Sequence, residues 1–201
     1  MRRVVITGAG KGFCSGADLS GGRDSSISGG QGSYRALTRH YNPMLLKLHR
    51  LPIPTISAVN GAAAGIGCSI SLAPDFVICS SKAYFLQAFV NIGLVPDGGA
   101  SWMLTRLVGK ARATEMMMLG EKLPAAKALE WGAIHKVVEP DALMVNLKTL
   151  RLIVRGEARG AAVQVEPPIP YIRIDNRVKA LPAAKCPGWP DVRYNPVTEF
   201  D

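Results

Sequence analysis

The sequence predicts one α/β domain built on parallel strands, followed by a C-terminal segment of different character. Short uncharged apolar runs, such as Val4-Val5-Ile6 and residues 55–59, alternate with stretches whose apolar residues recur at helical spacing. This alternation is typical of βαβ units, in which helices connect neighbouring parallel strands. A chain of 201 residues, nearly half of them hydrophobic, is long enough to bury the core of one such domain.

The elements follow from the apolar pattern and from the residues that interrupt it. The first strand, Val4-Val5-Ile6, leads into a glycine-rich loop from Gly8 to Gly16. A helix is predicted over 34–50, where Leu37, Tyr41, Leu45 and Leu48 share one face and Pro52 and Pro54 follow. The other predicted elements are strands over 55–59, 76–80, 83–87 and 133–139, and helices over 65–73, 100–108, 111–119 and 125–131.

The composition changes after about residue 145. Residues 146–201 contain 7 of the 14 prolines and have little periodicity. We therefore predict a core over 1–145 and an atypical proline-rich tail over 146–201, extended or disordered.

Charge and composition argue against several classes of function. The net charge of +9 is spread along the chain without basic runs interleaved with aromatic residues, so nucleic acid is not expected as a partner. Residues 51–74 carry no charge, but their prolines and glycines predict a buried strand, turn and helix, so no membrane is expected either. The four cysteines form no CxxC pair, which predicts no metal site and favours a reducing, cytoplasmic location; no signal peptide is recognised.

The loop from Gly8 to Gly16 fits no nucleotide-binding fingerprint. Counted from Gly8, Phe13 stands where both a phosphate-binding loop and a dinucleotide fingerprint require glycine. The stretch approaches the loop of short-chain dehydrogenases, but Cys14 replaces its last glycine. None of the five tyrosines is followed by a lysine four positions later, as those enzymes require.

A second interpretation uses backbone amides. Chemistry beside a thioester carbonyl places negative charge on the carbonyl oxygen, and two fixed N–H donors stabilise that charge. Two strands of this sequence lead into loops of small residues that would let a backbone approach a carbonyl closely: "FCSGADL" and "VNGAAAGIGCS". The second loop leads directly into a predicted helix.

Together these motifs resemble the enoyl-CoA hydratase/isomerase (crotonase) family. The resemblance covers residues 1 to about 145 through "VVITGAGKGFCSGADL", "PTISAVNGAAAGIGCSISLAPDFVICS" and the segment from "AYFLQ" to "IHKVVE". It implies a spiral of ββα units, an acyl-CoA thioester as substrate and no separate cofactor, since coenzyme A is part of the substrate. It also implies that the amides of Ser15 and Ile66 hold the thioester oxygen. The residues it places along the substrate are Gly16, Ala17, Asp18, Leu19, Gly65 and Gly67.

The resemblance also indicates a reaction. The two glutamates of the family's hydratases would stand at Ser69 and Phe89, and both are absent. Asp97, in "GLVPDGG", resembles the carboxylate of the isomerase branch, which includes the epoxide isomerases of phenylacetyl-CoA breakdown and the Δ3-Δ2-enoyl-CoA isomerases. There it moves a proton between substrate carbons. The alternatives are a simple turn at Asp97, a hydratase or hydrolase, and a non-catalytic acyl-CoA binder or inactive fragment.

The resemblance further implies parts that this sequence lacks. The family has additional strands and a helix before this point, and C-terminal helices that build trimers or hexamers. Residues 146–201 do not resemble those helices. We therefore expect a chain incomplete at its N-terminus with an altered C-terminal reading frame, which would leave sheet edges unpaired and weaken assembly.

Overall fold

A computed structural model describes residues 3–18, 30–145 and 171–174. The strands in these ranges are β1 (Val4–Gly8), β2 (Thr55–Val59), β3 (Ala62–Ala64), β4 (Phe76–Ser80), β5 (Tyr84–Leu86), β6 (Lys122–Pro124), β7 (Lys136–Val138) and β8 (Tyr171–Ile174). The helices are α1 (Gly30–Ala36), α2 (Asn42–His49), α3 (Ile66–Leu72), α4 (Ala100–Leu119) and α5 (Ala125–Glu130). A π-helical segment, Leu37–Tyr41, joins α1 to α2.

The strands form two sheets. The larger has the order β7-β4-β2-β1-β8 and is parallel throughout. The smaller has the order β3-β5-β6, with β3 and β5 parallel and β5 and β6 antiparallel. Along the chain, β2, β3 and α3 form one ββα unit, and β4, β5 and α4 form the next. The predicted α/β fold of ββα units is confirmed.

The core lies between the two sheets and the helices. Every residue of α3 is buried, as are all the residues of β1 and β2. Phe13 and Phe85 are completely enclosed, and they belong to a single cluster that also contains Ile66 and Leu104. Burial on both faces explains why the strands read as continuous apolar runs rather than as alternating ones.

Two elements differ from the sequence prediction. The predicted helix over 34–50 is three consecutive segments, because Pro43 lacks the N–H that a continuous α-helix would use at that point. The predicted helices over 100–108 and 111–119 are one element, α4, which is interrupted where Gly109 takes a non-helical conformation (φ 78°, ψ 163°). No helix among the described residues is long and apolar enough to cross a membrane.

The C-terminal segment contributes one strand to the larger sheet. Tyr171–Ile174 pairs in parallel with β1, in register from Val5 opposite Tyr171 to Gly8 opposite Ile174. The expectation of an unpaired edge is therefore wrong for β1. Pairing with a further strand satisfies the backbone groups that an edge would leave open. The rest of the predicted tail lies outside the described residues.

Candidate functional site

The two glycine-rich loops named by the sequence lie side by side. The amides of Phe13 and Cys14 both donate to the carbonyl oxygen of Ala62, at 2.9 and 3.0 Å, and the amide of Ala64 donates to the carbonyl oxygen of Cys14 at 2.9 Å. Cys14 thereby forms a parallel bridge with Ala63, at the edge of the small sheet. The chain that leads to Ser15 is thus fixed against the chain that leads to Ile66.

Glycine is required at several points of this contact. Gly16 has φ +107°, and a Cβ at this position would stand 3.2 Å from the carbonyl oxygen of Ala64. Gly65 has φ 53° and ψ −129°, a conformation open in practice to glycine alone. A Cβ on Gly67 would overlap the carbonyl oxygen of Cys14. Small residues in both motifs therefore serve close backbone approach, as the sequence predicted.

The predicted substrate-contacting residues differ in their exposure to solvent. Ser15, Ala17 and Asp18 are exposed, whereas Gly16 is buried with its amide directed at the thiol of Cys14. Ile66 is the first residue of α3, and its amide donates no hydrogen bond to any residue that the structure describes. An N–H at the first position of a helix has no intrahelical acceptor, so it is available to a ligand. Leu19 lies outside the described residues.

Asp97 lies against the same helix terminus. A Cβ on the next residue, Gly98, would overlap Cδ1 of Ile66 and would stand 3.0 Å from Cβ of Ser69. The hydroxyl of Ser69 donates to the carbonyl oxygen of Asp97 at 3.1 Å, and the amide of Ala100 donates to the same oxygen. The turn that carries Asp97 is therefore fixed directly on the first turn of α3.

The carboxyl group of Asp97 is set apart from ordinary surface carboxylates. The side chain is half-buried, and its Oδ1 is enclosed without a hydrogen-bond partner among the described residues. This burial raises the pKa of Asp97 to about 6, since the charged form loses hydration that no nearby donor replaces. A carboxylate of this kind can accept a proton and return it near neutral pH.

Known protein families include one that matches most of this chain. The family model described as enoyl-CoA hydratase/isomerase matches residues 1–161. This chain belongs to the enoyl-CoA hydratase/isomerase family. The resemblance recognised in the sequence is thereby confirmed.

Relatives within the enoyl-CoA hydratase/isomerase family carry names for more than one reaction. The chain is 42% identical over 143 residues to the 1,2-epoxyphenylacetyl-CoA isomerase of Escherichia coli K12, covering 71% of this chain and 55% of that protein. It is 41% identical over 140 residues to the trans-2-decenoyl-[acyl-carrier-protein] isomerase of Streptococcus mutans, covering 70% and 53%. The chain thus spans about half the length of the curated relatives it matches.

Solved structures give the same picture of the fold. An enoyl-CoA hydratase from Bacillus anthracis matches with a TM-score of 0.67 and 32% identity, over 73% of this chain and 56% of that one. An enoyl-CoA hydratase from Mycobacterium avium matches with a TM-score of 0.64 and 38% identity, over 74% and 55%. The crotonase fold is therefore shown for the part of the chain that aligns.

The residues at the two glutamate positions of the family's hydratases have other functions here. Ser69 is completely buried and fixes the Asp97 turn through its hydroxyl. Phe89 is buried, and its ring Cζ lies 3.9 Å from the position of a Cβ on Gly65. The family's two-glutamate water-adding chemistry therefore has no counterpart at these positions, and the surroundings of the second loop are apolar on this side.

The cysteines beside the loops are core residues. Cys14 and Cys68 are both completely buried and unpaired. Burial raises the pKa of both thiols, that of Cys68 to about 12, so neither is a ready nucleophile. Both cysteines therefore fill space in the core.

Asn60 connects the two motifs and was not singled out from the sequence. Its Oδ1 accepts from the amide of Gly8 at 3.1 Å, and its Nδ2 donates to the carbonyl oxygens of Gly10 and Gly12 at 2.9 and 3.1 Å. A Cβ on the next residue, Gly61, would overlap the carbonyl oxygen of Lys11. An Asn-Gly pair directly after a strand was the available signal, but it reads equally well as an ordinary turn.

Replacing Asn60 should loosen the first loop. We expect Asn60→Ala to lower the free energy of unfolding by about 1–3 kcal/mol, because three hydrogen bonds are lost and two of them, to Gly8 and Gly12, are partly buried. Hydrogen exchange at the Phe13 and Cys14 amides should accelerate relative to exchange in β4. Asn60→Asp keeps the acceptor for the Gly8 amide, so its free energy of unfolding should lie between that of the unmodified chain and that of Asn60→Ala. Asn91→Ala, which removes one exposed hydrogen bond, is the control; an equal effect from it would refute the anchoring role.

Proposed function

We propose that this chain isomerises acyl-CoA thioesters through an enolate, with Asp97 as the proton carrier. The observation that carries the proposal is the placement of a half-buried carboxylate of raised pKa on the same helix terminus as the Ile66 amide, which has no acceptor among the described residues. Removal of a proton α to a thioester carbonyl transfers the charge to the carbonyl oxygen. A base on one side of the acyl group and N–H donors on its oxygen are the two requirements of that step.

The amides of Ser15 and Ile66 would bind the thioester oxygen. The bridge between Cys14 and Ala63 holds the segment before Ser15 beside the segment before Ile66. The amides of Ser15 and Ile66 therefore belong to one rigid framework. Preorganised donors stabilise charge without reorganising when it develops, and losing one such donor costs about 2.7–4 kcal/mol. Gly16, Ala17, Asp18, Leu19, Gly65 and Gly67 would form the wall along the thioester.

Asp97 would both remove and return the proton. Its carboxylate, ionised above pH 6, takes a proton from one carbon and becomes the neutral acid. The same acid then protonates another carbon of the delocalised enolate, so that the double bond moves and no water is added. Isomerisation is favoured over hydration because Ser69 and Phe89 offer no second carboxylate to activate water.

The other proposed properties follow from the same chemistry. The substrate is an acyl-CoA thioester, and no separate cofactor is required. The three cysteines of the described residues are free thiols, which agrees with the cytoplasmic location we propose. Assembly into trimers or hexamers remains an expectation from the family.

A binding experiment tests the proposal most directly. We would titrate the full 15N-labelled chain with butyryl-CoA, a saturated thioester that cannot isomerise, and follow the Ile66 amide resonance. We expect saturable binding with a downfield shift of that resonance, whereas free coenzyme A should compete for binding without producing the shift. Saturable binding without a change at Ile66 would refute the amide contact. No binding by folded protein would refute the acyl-CoA function of this chain.

A deuterium experiment then separates the reactions. With a 3-enoyl-CoA in D2O, isomerisation should give the 2-enoyl product, and solvent deuterium should enter carbon to the extent that the proton on Asp97 exchanges before it is returned. Labelled solvent oxygen should not enter the acyl chain, and its incorporation would favour the hydratase alternative. Binding without formation of either product would favour a non-catalytic acyl-CoA binder.

A further inference from the structure

A tyrosine on the neighbouring helical segment lies close to the candidate site. Tyr41 is the last residue of the π-helical segment, where the amide of Asn42 donates to Leu37 across five residues. Pro43, with no N–H of its own, follows directly. Single π-turns inside helices are found frequently at functional sites.

The helix that follows places Tyr41 toward the Asp97 turn. A Cβ on Gly98 would stand 3.1 Å from Cδ1 of Leu45, so Leu45 lies directly on that turn. Tyr41 precedes Leu45 by four residues and therefore shares its face of the helix. Both side chains are partly buried and pack against the core cluster that contains Cys14 and Ile66.

Titratable groups from both sides of the candidate site act on the phenol of Tyr41. After burial, the groups that raise the pKa of Tyr41 are Asp97, the thiol of Cys14 and Asp18, in that order. Cys14 and Asp18 belong to the first loop, and Asp97 belongs to the turn on α3. The phenol therefore lies within electrostatic range of both sides of the site, and its raised pKa keeps it a neutral O–H at neutral pH.

The phenol O–H of Tyr41 donates no hydrogen bond to any residue in the described ranges. The hydroxyl is not among the enclosed unpaired polar atoms of those ranges, so water can accept its hydrogen bond in the unliganded chain. A ligand that excludes this water must itself supply an acceptor, because leaving a buried donor unpaired is unfavourable.

We propose that Tyr41 is a specificity-determining residue that donates a hydrogen bond to an oxygen atom on the acyl chain of the substrate. This inference rests on the proposed acyl-CoA function and narrows its substrate class. Acyl-CoAs that carry an ether, epoxide or hydroxyl oxygen within reach of the phenol bind in preference to hydrocarbon acyl-CoAs of the same shape. The preference arises because only the oxygenated chain satisfies the donor.

Two matched ligand pairs test this proposal by calorimetry on the full chain. The first pair is 4-methoxybutyryl-CoA and hexanoyl-CoA; the second is 3-methoxybutyryl-CoA and 3-methylpentanoyl-CoA. Within each pair an ether oxygen replaces a methylene group. An ether accepts a hydrogen bond but donates none, so ionised Asp97 cannot produce the preference. We expect the unmodified chain to bind the ether of at least one pair about tenfold more tightly.

Tyr41→Phe should remove that preference while leaving the affinity for the hydrocarbon partner within about twofold. Tyr34→Phe, at a tyrosine that is 68% exposed, is the matched control and should retain it. Tyr41→Gln supplies an N–H donor and should restore part of the preference, even if packing is weakened. The thermal unfolding midpoint and the Ile66 amide resonance report whether each variant keeps the site.

The outcomes separate this proposal from the one on which it rests. Equal losses for ether and hydrocarbon in Tyr41→Phe would mean a packing role and would overturn the inference. The absence of any ether preference in the unmodified chain would overturn it as well. If none of the four ligands binds to the folded chain, the acyl-CoA function itself fails, and this inference fails with it.

Discussion

Asp97→Asn is expected to lower the rate of isomerisation by about 10²–10⁴-fold, the usual contribution of a positioned acid–base group. Asparagine has the same shape but cannot take a proton. Binding of butyryl-CoA and the shift of the Ile66 amide should persist, because the backbone of the Asp97 turn is held through its carbonyl oxygen and not through the carboxyl group. Stopped assays of product formation with a 3-enoyl-CoA measure the effect.

Asp141→Asn provides the matched control for this prediction. Asp141 is exposed and lies within the short 3-10 helix Pro140–Ala142, which belongs to neither loop, so the same substitution should leave the rate unchanged. An Asp97→Asn variant that retains full activity would show that the carboxyl group is only part of a turn.

The pH dependence follows from the same carboxyl group. Because Asp97 acts as a base when ionised, kcat/KM should rise with pH and level off above an apparent pKa of about 6. This rise with pH should be absent in Asp97→Asn.

The free energy of unfolding should change with pH in the opposite direction. The folded-state pKa is raised above 3.8, so the folded chain binds the proton more tightly and its stability falls as pH rises from about 4 to 6.

Asp97→Asn should therefore be more stable than the unmodified chain at pH 8. We expect a gain of about 1–2 kcal/mol, which already allows for the partial exposure of the side chain. Urea unfolding at pH 4 and pH 8 measures the difference. A chain whose stability does not depend on Asp97 over this range would contradict the burial of an unpartnered carboxylate.

Gly67→Ala should separate the two loops. The new Cβ would overlap the carbonyl oxygen of Cys14 and would stand 2.8 Å from Cβ of that residue, in a fully buried place. Overpacking of this kind typically costs about 1–3 kcal/mol of stability. Within α3, alanine would otherwise be favoured over glycine by about 1 kcal/mol, so the direction of the change identifies the steric effect.

Gly30→Ala is the control for this prediction. Gly30 begins α1, and a Cβ there meets no atom within 4 Å, so the substitution should be neutral or stabilising. Urea unfolding followed by circular dichroism gives the free energies, and butyryl-CoA titration gives the effect on the site. If Gly67→Ala were as stable as the unmodified chain and bound butyryl-CoA equally well, the close approach of the two loops would contribute neither to stability nor to binding.

The sequence alone predicted much of the framework. Uncharged apolar runs identified β1, β2 and β4, because strands buried on both faces need apolar residues at every position. Glycines within two ordered motifs identified the loops that approach each other. Asp97 was found from its motif, and its neighbours in sequence gave no sign of its raised pKa.

Long-range contacts account for what the sequence missed. Asn60 lies about fifty residues from the loop that it anchors, and Leu45 meets Gly98 from a separate element. Tyr41 was one member of an apolar helical stripe, and nothing local separates a packing tyrosine from one that faces a site. The strand β8 could not be foreseen, since its four residues pair with a partner more than 160 positions earlier.

The sequence by itself determined the family, the alternation of strands and helices, and the chemical groups available to the site. Only the tertiary structure decided which of these groups meet. Burial of the Asp97 carboxyl, the side-by-side course of the two loops, and the packing of Tyr41 against the core beside them depend on contacts between elements remote in the chain. Local residue pattern records which face of an element is apolar, but it carries no information about which other element covers that face.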